Sequence, residues 1–345
     1  MSFEELVQKF EPRVAAAFRE AIDGIESAVV LKTIVEHLER GDIAGAVAAI
    51  QFEPEAFATL ELALREAFNA GGVNFVQSLP SLVASDGTRV LFQFGVRNLE
   101  AERLIREQSS TLVANITEDQ REALRIAFEA GLSQGKNPTG TALGVIGRIN
   151  RVTGRREGGT IGLASRQVDF IVRARENLLS GDPALMKQYL DLKTRDKRFD
   201  RSVAKAIREG RAVHADMVGK MIGRLSDNNL KLRGEMIGLE ETRTALFSVR
   251  DNAIHQQIDA GKLAAQDVTK KWKHSGSEHP RIQHIQMANQ SVALDMPFTA
   301  PDGTLMMYPH DPKAPARHRI GCKCRLEYDI DYIAAGLRRY RARAA

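Results

Sequence analysis

Six of the chain's eleven prolines fall at positions 280, 297, 301, 309, 312 and 315. Proline fixes φ and donates no backbone hydrogen bond, so it is excluded from helix interiors and central strands. The segment from 297 to 315 therefore cannot hold long regular elements. It must be built from short strands, turns and single helical turns. The stretch MPFTAPDGTLMMYP has the pattern of a hairpin, with Phe298 before the turn, Pro301-Asp302-Gly303 in it, and Leu305 and Met307 after it. Further on, CKCRLEYDI places Cys322, Cys324, Leu326, Tyr328 and Ile330 at alternating positions, the period of a strand.

Upstream, the apolar period is helical. Ala16, Phe18, Ile22, Ile25 and Val29 fall near a 3.6-residue repeat, which Leu31, Ile34, Val35 and Leu38 continue. Gly41-Asp42 reads as a stop and a new start. Pro54 opens another helix through Phe57, Leu60, Leu64 and Phe68, which Gly71-Gly72 is expected to end. Pro80 and Asp86-Gly87 mark turns, and VLFQF at 90–94 fits a short strand or a helix start. Thr117 with Gln120 has the form of a capping box. A short helix is expected around 141–152, another from Ser165, basic helical residues over 184–209 and a helix over 211–224. A long helix is expected at 228–260, with Leu232, Leu239, Leu246, Val249 and Ala253 on its buried seam.

The predicted fold class is mainly α with a small C-terminal α+β domain. The expected organisation is an acidic helical region at 1–130, a basic helical region at 131–262, the α+β domain at 263–333 and a basic tail at 334–345. The acidic label is quantitative: residues 1–130 contain 12 Lys+Arg against 21 Asp+Glu, and the remainder 37 against 23. Opposite signs suggest different neighbours, a protein partner for the first region and double-stranded DNA for parts of the second. Solvated charged faces that neutralise one another are the plainer alternative. MSFEELVQKFEPR does not have the pattern of a secretory signal, so none is expected, and no apolar run is long enough to span a membrane. Synthesis in the cytoplasm is expected. With two cysteines in 345 residues, disulfides do not hold the fold together.

Both cysteines lie in HRIGCKC at 318–324. A C-x-C pair on a strand points both sulfurs to one face and can supply two metal ligands, with His284, His310 or His318 completing a shell. No second cysteine pair exists, and redox pairs are normally C-x-x-C. The default reading packs both cysteines as small apolar groups on the inner face of a strand. Lys323 and Arg325 would point the other way, which leaves no electropositive surface beside the thiols for nucleophilic catalysis. Arg155 and Arg156, in RREGG, are candidates for contact with DNA phosphates, although a plain turn between helices fits the same glycines. Arg338, Arg339, Arg341 and Arg343 are the stronger electrostatic candidates. Trp272, the only tryptophan, stands where helical periods give way to the α+β domain and is expected to anchor its core.

Taken together, KKWKHSG, RIQHIQM, PFTAPDGTLMMYPHDPKAP and IGCKCRLEY resemble the Mu F-like family of phage minor head proteins, the phage head morphogenesis proteins. The shared pattern falls on Trp272, Arg281, His284, Phe298, Pro301, Gly303, Pro309, Cys322 and Cys324. GRREGGTIGLASRQ, RDKRFD and EETRTAL resemble the helical portion that precedes that domain. Gly321, where the family often has asparagine, and Lys323, where arginine is usual, depart from the pattern. The resemblance implies a non-enzymatic virion protein without a cofactor. It would be made in the host cytoplasm and sit inside the capsid near the portal vertex. Its partners would be the portal protein, other head proteins and packaged DNA, bound without sequence specificity. An enzymatic or toxin-like C-terminal domain, with zinc on His284, Cys322 and Cys324, is the alternative.

Overall fold

The structure, a computed structural model, describes residues 1–80, 82–83, 89–94, 99–276 and 280–344. Helices α1 (Phe3–Ala28), α2 (Leu31–Glu39), α3 (Ile43–Ala48) and α4 (Ala58–Ser78) come first. A strand pair, β1 (Leu82–Val83) and β2 (Arg89–Val90), precedes α5 (Leu99–Ser133) and α6 (Pro138–Ile146). A hairpin of β3 (Arg148–Ile149) and β4 (Arg156–Glu157) leads to α7 (Ser165–Leu179), α8 (Pro183–Leu190), α9 (Asp200–Glu209) and α10 (Ala215–Asp259). Next come β5 (Val268–Lys273), α11 (Ile282–Gln286), β6 (Ser291–Ala293), β7 (Phe298–Thr299), β8 (Leu305–Met306), α12 (Ala316–Arg319), β9 (Arg325–Ile330) and α13 (Tyr332–Ala344). The fold is mainly α, with short antiparallel sheets towards the C-terminus, as the sequence predicts. Among the described residues, no helix is long and apolar enough to cross a membrane.

Several elements differ from expectation. Gly71-Gly72 does not stop α4. A β-carbon on Gly71 would sit 2.5 Å from a Leu246 methyl, and one on Gly72 would sit 2.6 Å from the Phe94 ring. These glycines permit close approach within a continuing helix. Thr117 caps nothing, because α5 runs through it; Gln120 instead turns inward to the backbone of Gly162 and Leu163. The patterns at 211–224 and 228–260 are one helix, α10, on which Leu232 is exposed while Leu246, Val249 and Ala253 are buried. The helix expected at 141–152 ends at Ile146, where Gly147 at φ +78 turns the chain into β3. Of VLFQF, Val90 closes β2 and residues 91–94 form no regular element. The turn expected at Asp86-Gly87 lies outside the described residues. The C-terminal tail is helix α13.

The chain divides into two compact units that do not follow the expected boundaries. One comprises residues 1–15, 61–109 and 236–345; the other comprises 16–60 and 110–235. The core of residues 263–333 is shared with helices from elsewhere in the chain. In the first unit, Phe3, Leu6, Val7 and Phe10 of α1 and Leu246 and Phe247 of α10 share one cluster with Trp272, Phe298, Met306, Cys322, Cys324 and Leu326. A second cluster in that unit joins Phe75, Val76, Ala253 and Ile254 to Val268, Ile330 and Ala335. The regrouping also removes the charge asymmetry. The first unit carries 23 Lys+Arg against 21 Asp+Glu, the second 26 against 23, so each is close to neutral.

The three-stranded sheet of the first unit has the order β6-β5-β9, all antiparallel. Trp272 pairs with Leu326, and Phe298 pairs with Met306 across the β7–β8 hairpin. Trp272 is fully buried. Burying about 200 Å² of indole at ~25 cal/mol/Å² gives about 5 kcal/mol of gross stabilisation.

In the second unit, Asp119, Gln120 and Arg233 hold the loop at 160–165. Arg233 donates to Gly162 O at 2.9 Å and to Asp119 Oδ2 at 3.1 Å, and Asp119 Oδ1 accepts Ser165 N–H at 3.0 Å. Gly162 must be glycine there: φ is +83, and a β-carbon would meet Leu230 and Ile22.

Candidate functional site

The site is built outward from Trp272. Its backbone N–H donates to Gln290 O, and its carbonyl accepts from Asn289 N–H, both at 2.9 Å. Asn289 takes a left-handed φ of +66 to make this link. The pair of bonds ties the end of α11 to β5 and sets His284, on α11, edge-on to the indole at a centroid distance of 5.4 Å. Phe298 meets the same indole edge-on, also at 5.4 Å. Arg281 caps the start of α11 with its carbonyl, and its guanidinium donates to Ile320 O. The R-x-x-H spacing thus places one residue at a helix entry and the other one turn inside.

Gly321, at φ +69, reverses the chain after α12. From there the backbone is extended, and burial alternates: Cys322, Cys324 and Leu326 are buried, Lys323 and Arg325 exposed. Hydrogen-bonded strand begins only at Arg325, but the two-residue period predicted from the sequence starts three residues earlier. Both sulfurs face His284. Cys322 Sγ lies 3.5 Å and Cys324 Sγ 3.6 Å from His284 Nδ1, and the three ligand atoms lie within 4.8 Å of one another. Both thiols are free. Cys324 N–H also donates to Cys322 Sγ at 3.4 Å.

The other edge of His284 meets a second histidine. His284 Nε2 is 3.1 Å from His318 Nδ1, and the two rings are nearly parallel. His318 Nε2 is 2.9 Å from Asp302 Oδ2, in the hairpin turn. Asp302 accepts as well from Thr304 N–H and from Arg317. The hydrogen bond from His318 holds the Asp302 carboxyl well below the usual carboxylate range, with the Thr304 amide and Arg317 adding to it. Gly303 follows at φ +82, a left-handed turn position that favours glycine. At the far end of this line, the two thiols titrate as a pair. A hydrogen bond from Cys322, then His284, pulls the Cys324 sulfur below the ordinary thiol value, while Cys322 is pushed up by the same bond and by burial.

Trp272, His284, Phe298, Cys322 and Cys324 therefore meet in one buried core, with Arg281 at its rim. Pro309 is buried nearby in sequence, next to His310, whose φ is +62. His310 is not beside the sulfurs. Its Nε2 donates to Cys322 O at 2.7 Å, and its Nδ1 lies 3.0 Å from Glu240 Oε2. Glu240 Oε1 accepts Gly321 N–H, so Glu240 and His310 brace the turn into the C-x-C segment. Sequence reading misses the parts played by Asp302 and Glu240. Asp302 shows as a turn residue, and nothing in the spacing of 302 and 318, or of 240 and 310, links them.

The proposed DNA-contact arginines separate into two kinds. Arg156 points inward and donates to Glu26 O and Gly147 O. Arg338 grips the buried carboxylate of Asp267 with both terminal nitrogens. Arg155 is exposed and pairs with Asp23 at 3.1 Å, and Arg341 is exposed. The side chains of Arg339 and Arg343 lie outside the described residues. In RREGG, Gly158 N–H is taken by Asp227 Oδ1 at 2.7 Å, and Gly159 O accepts from Ser226. The second unit also holds a cavity of about 1150 Å³ whose wall includes Lys136, Arg175 and Lys220. Burial, with Arg175 adjacent, pushes the Lys136 ammonium down to about 8.

No family model matches the chain, and no solved structure matches it. Among curated proteins, the chain is similar to an uncharacterized protein, YqbB, of Bacillus subtilis (strain 168). The two are 37% identical over 71 residues, 20% of this chain and 23% of that protein. The chain thus spans under a quarter of the length of the relative it matches.

Proposed function

We propose that this chain is a bacteriophage minor head protein of the Mu F-like kind. It would sit inside the capsid by the portal vertex and act in head morphogenesis and in packaging or delivery of DNA. One observation supports the reading most. Five residues of the resembling pattern, Trp272, His284, Phe298, Cys322 and Cys324, are buried together, while Pro301 and Gly303 form the exposed turn beside them. A pattern that specifies a packed core is one that a family of structural proteins would share.

The role is non-enzymatic on this reading. A thiol nucleophile needs access to substrate, and Cys322 and Cys324 are 2% and 3% exposed. The enzymatic or toxin-like alternative draws correspondingly less support. The partners are the portal and other head proteins. Contact with packaged DNA narrows to exposed side chains such as Arg155 and Arg341, since Arg156 and Arg338 are held internally and each unit is nearly neutral.

Deletion of the gene from a phage that carries it tests the proposal. The expected result is a fall in filled, infectious heads that the intact gene restores in trans. Unchanged titre and head yield in its absence would overturn it.

A further inference from the structure

With both imidazoles neutral, the hydrogen-bond line through His284 sets which of its nitrogens is free. Asp302 is a carboxylate and only accepts, so His318 Nε2 carries the proton between them. Neutral His318 then presents a lone pair at Nδ1, and His284 Nε2 must donate to it. Neutral His284 is left with a bare Nδ1. That lone pair faces Cys322 Sγ and Cys324 Sγ at 3.5 and 3.6 Å.

Without a cation, one thiol proton satisfies His284 Nδ1 and the other thiol donates to its neighbour's sulfur, so three potential ligand atoms crowd one point. Two buried thiolates side by side would repel, and a divalent cation between them cancels both charges. Histidine ligands commonly donate their second N–H to an oriented acceptor ending in a carboxylate, and His284–His318–Asp302 is such a line. The geometry is set by the fold: a strand period aims both sulfurs one way, and the Asn289–Trp272 link fixes the imidazole against them.

We propose that Cys322 Sγ, Cys324 Sγ and His284 Nδ1 hold a thiolate-seeking divalent cation of the zinc class. Two sulfurs and one imidazole select zinc-like ions over magnesium or calcium, which take oxygen ligands. Among the described residues, no other histidine, cysteine or carboxylate joins the set, so the fourth position falls to a small ligand such as water. Binding exchanges two thiol protons for one M²⁺, giving M(SR)₂ and two protons released to solvent, so affinity rises with pH. The ion would tie the Cys322–Cys324 segment, just before β9, to α11. This inference stands independently of the head-protein reading.

Titration of the reduced full-length chain with Co²⁺, followed by Zn²⁺, tests it. The expected result is a thiolate-to-cobalt charge-transfer band that saturates at one equivalent per chain and is abolished by Zn²⁺. Cys322→Ser/Cys324→Ser should lose the band. Asp302→Asn, at the rim and away from the ion, should weaken Co²⁺ binding by about 10–100-fold with circular dichroism unchanged. That variant decides the matter if the cysteine variant does not fold. No band from a chain whose two thiols titrate as free would overturn the proposal. So would a band that survives in the cysteine variant, or unaltered affinity in Asp302→Asn.

Discussion

His284 and His318 stack with their rings 13° from parallel, and Nε2 of the first is 3.1 Å from Nδ1 of the second. The pair carries the influence of one partly exposed carboxylate, Asp302, to two buried sulfurs. Asp302 lies well below the usual carboxylate range when folded, so its contribution is present above the ordinary carboxylate pKa and lost as pH falls through the lowered value. Asp302→Asn should therefore flatten the acid limb of the stability–pH profile. Urea midpoints between pH 2 and pH 6 check this; parallel profiles for wild type and variant would refute it.

Trp272 touches both His284 and Phe298 and is fully buried. Trp272→Ala should cost about 3–5 kcal/mol, and Trp272→Phe distinctly less, because much of the volume is kept. Chemical denaturation gives both values. Equal losses for the two would mean that the indole's size is not what the core uses.

Glu26, in the second unit, is buried, and its pKa is pushed up to about 8, first by burial and then by Asp23. A carboxyl with a raised native pKa contributes fully below its unfolded value and loses that contribution as pH rises through the native one. Stability should decline by an amount on the order of a few kcal/mol between about pH 4.5 and pH 8. Glu26→Gln should be near neutral at pH 5 and stabilising at pH 9, as read by thermal unfolding at the two pH values.

Gly71 lies in the middle of α4, packed on Leu246 and Val249. Alanine has the higher helix propensity, yet Gly71→Ala should destabilise by about 1–3 kcal/mol, because Leu246 is buried and cannot swing aside. A stabilised variant would show that propensity wins over packing at this position.

Arg338 and Arg341 stand three residues apart on α13 with opposite assignments. Arg338→Ala leaves the buried Asp267 carboxylate without its guanidinium and should lower the unfolding midpoint; Arg341→Ala should leave the midpoint unchanged. Duplex DNA binding, measured across a salt series, should respond to Arg341 and Arg155 and not to Arg338 beyond its effect on folding.

The sequence made the helical character, the β7–β8 hairpin and the inward alternation of Cys322, Cys324 and Leu326 legible, because each follows from a period or a turn within a few residues. It also brought Trp272, His284 and the cysteines together as a pattern. What it hid was long-range. The core of the C-terminal segment is completed by Phe3, Leu6, Val7 and Phe10, more than 250 positions away, and no local period announces that. The charge asymmetry misled for the same reason: the acidic and basic stretches fold into the same units. Asp302 and Glu240 became site residues only through contacts of this kind.

The central claim is that this chain occupies the interior of a phage head at the portal vertex. Electron cryomicroscopy of purified heads, reconstructed around that vertex without imposed symmetry, tests it most directly. The account predicts density that fits α10 and the β6-β5-β9 sheet beside the portal, and loss of that density from heads made without the gene. Heads whose portal density is complete without the chain, from particles that contain none of it, would contradict the account.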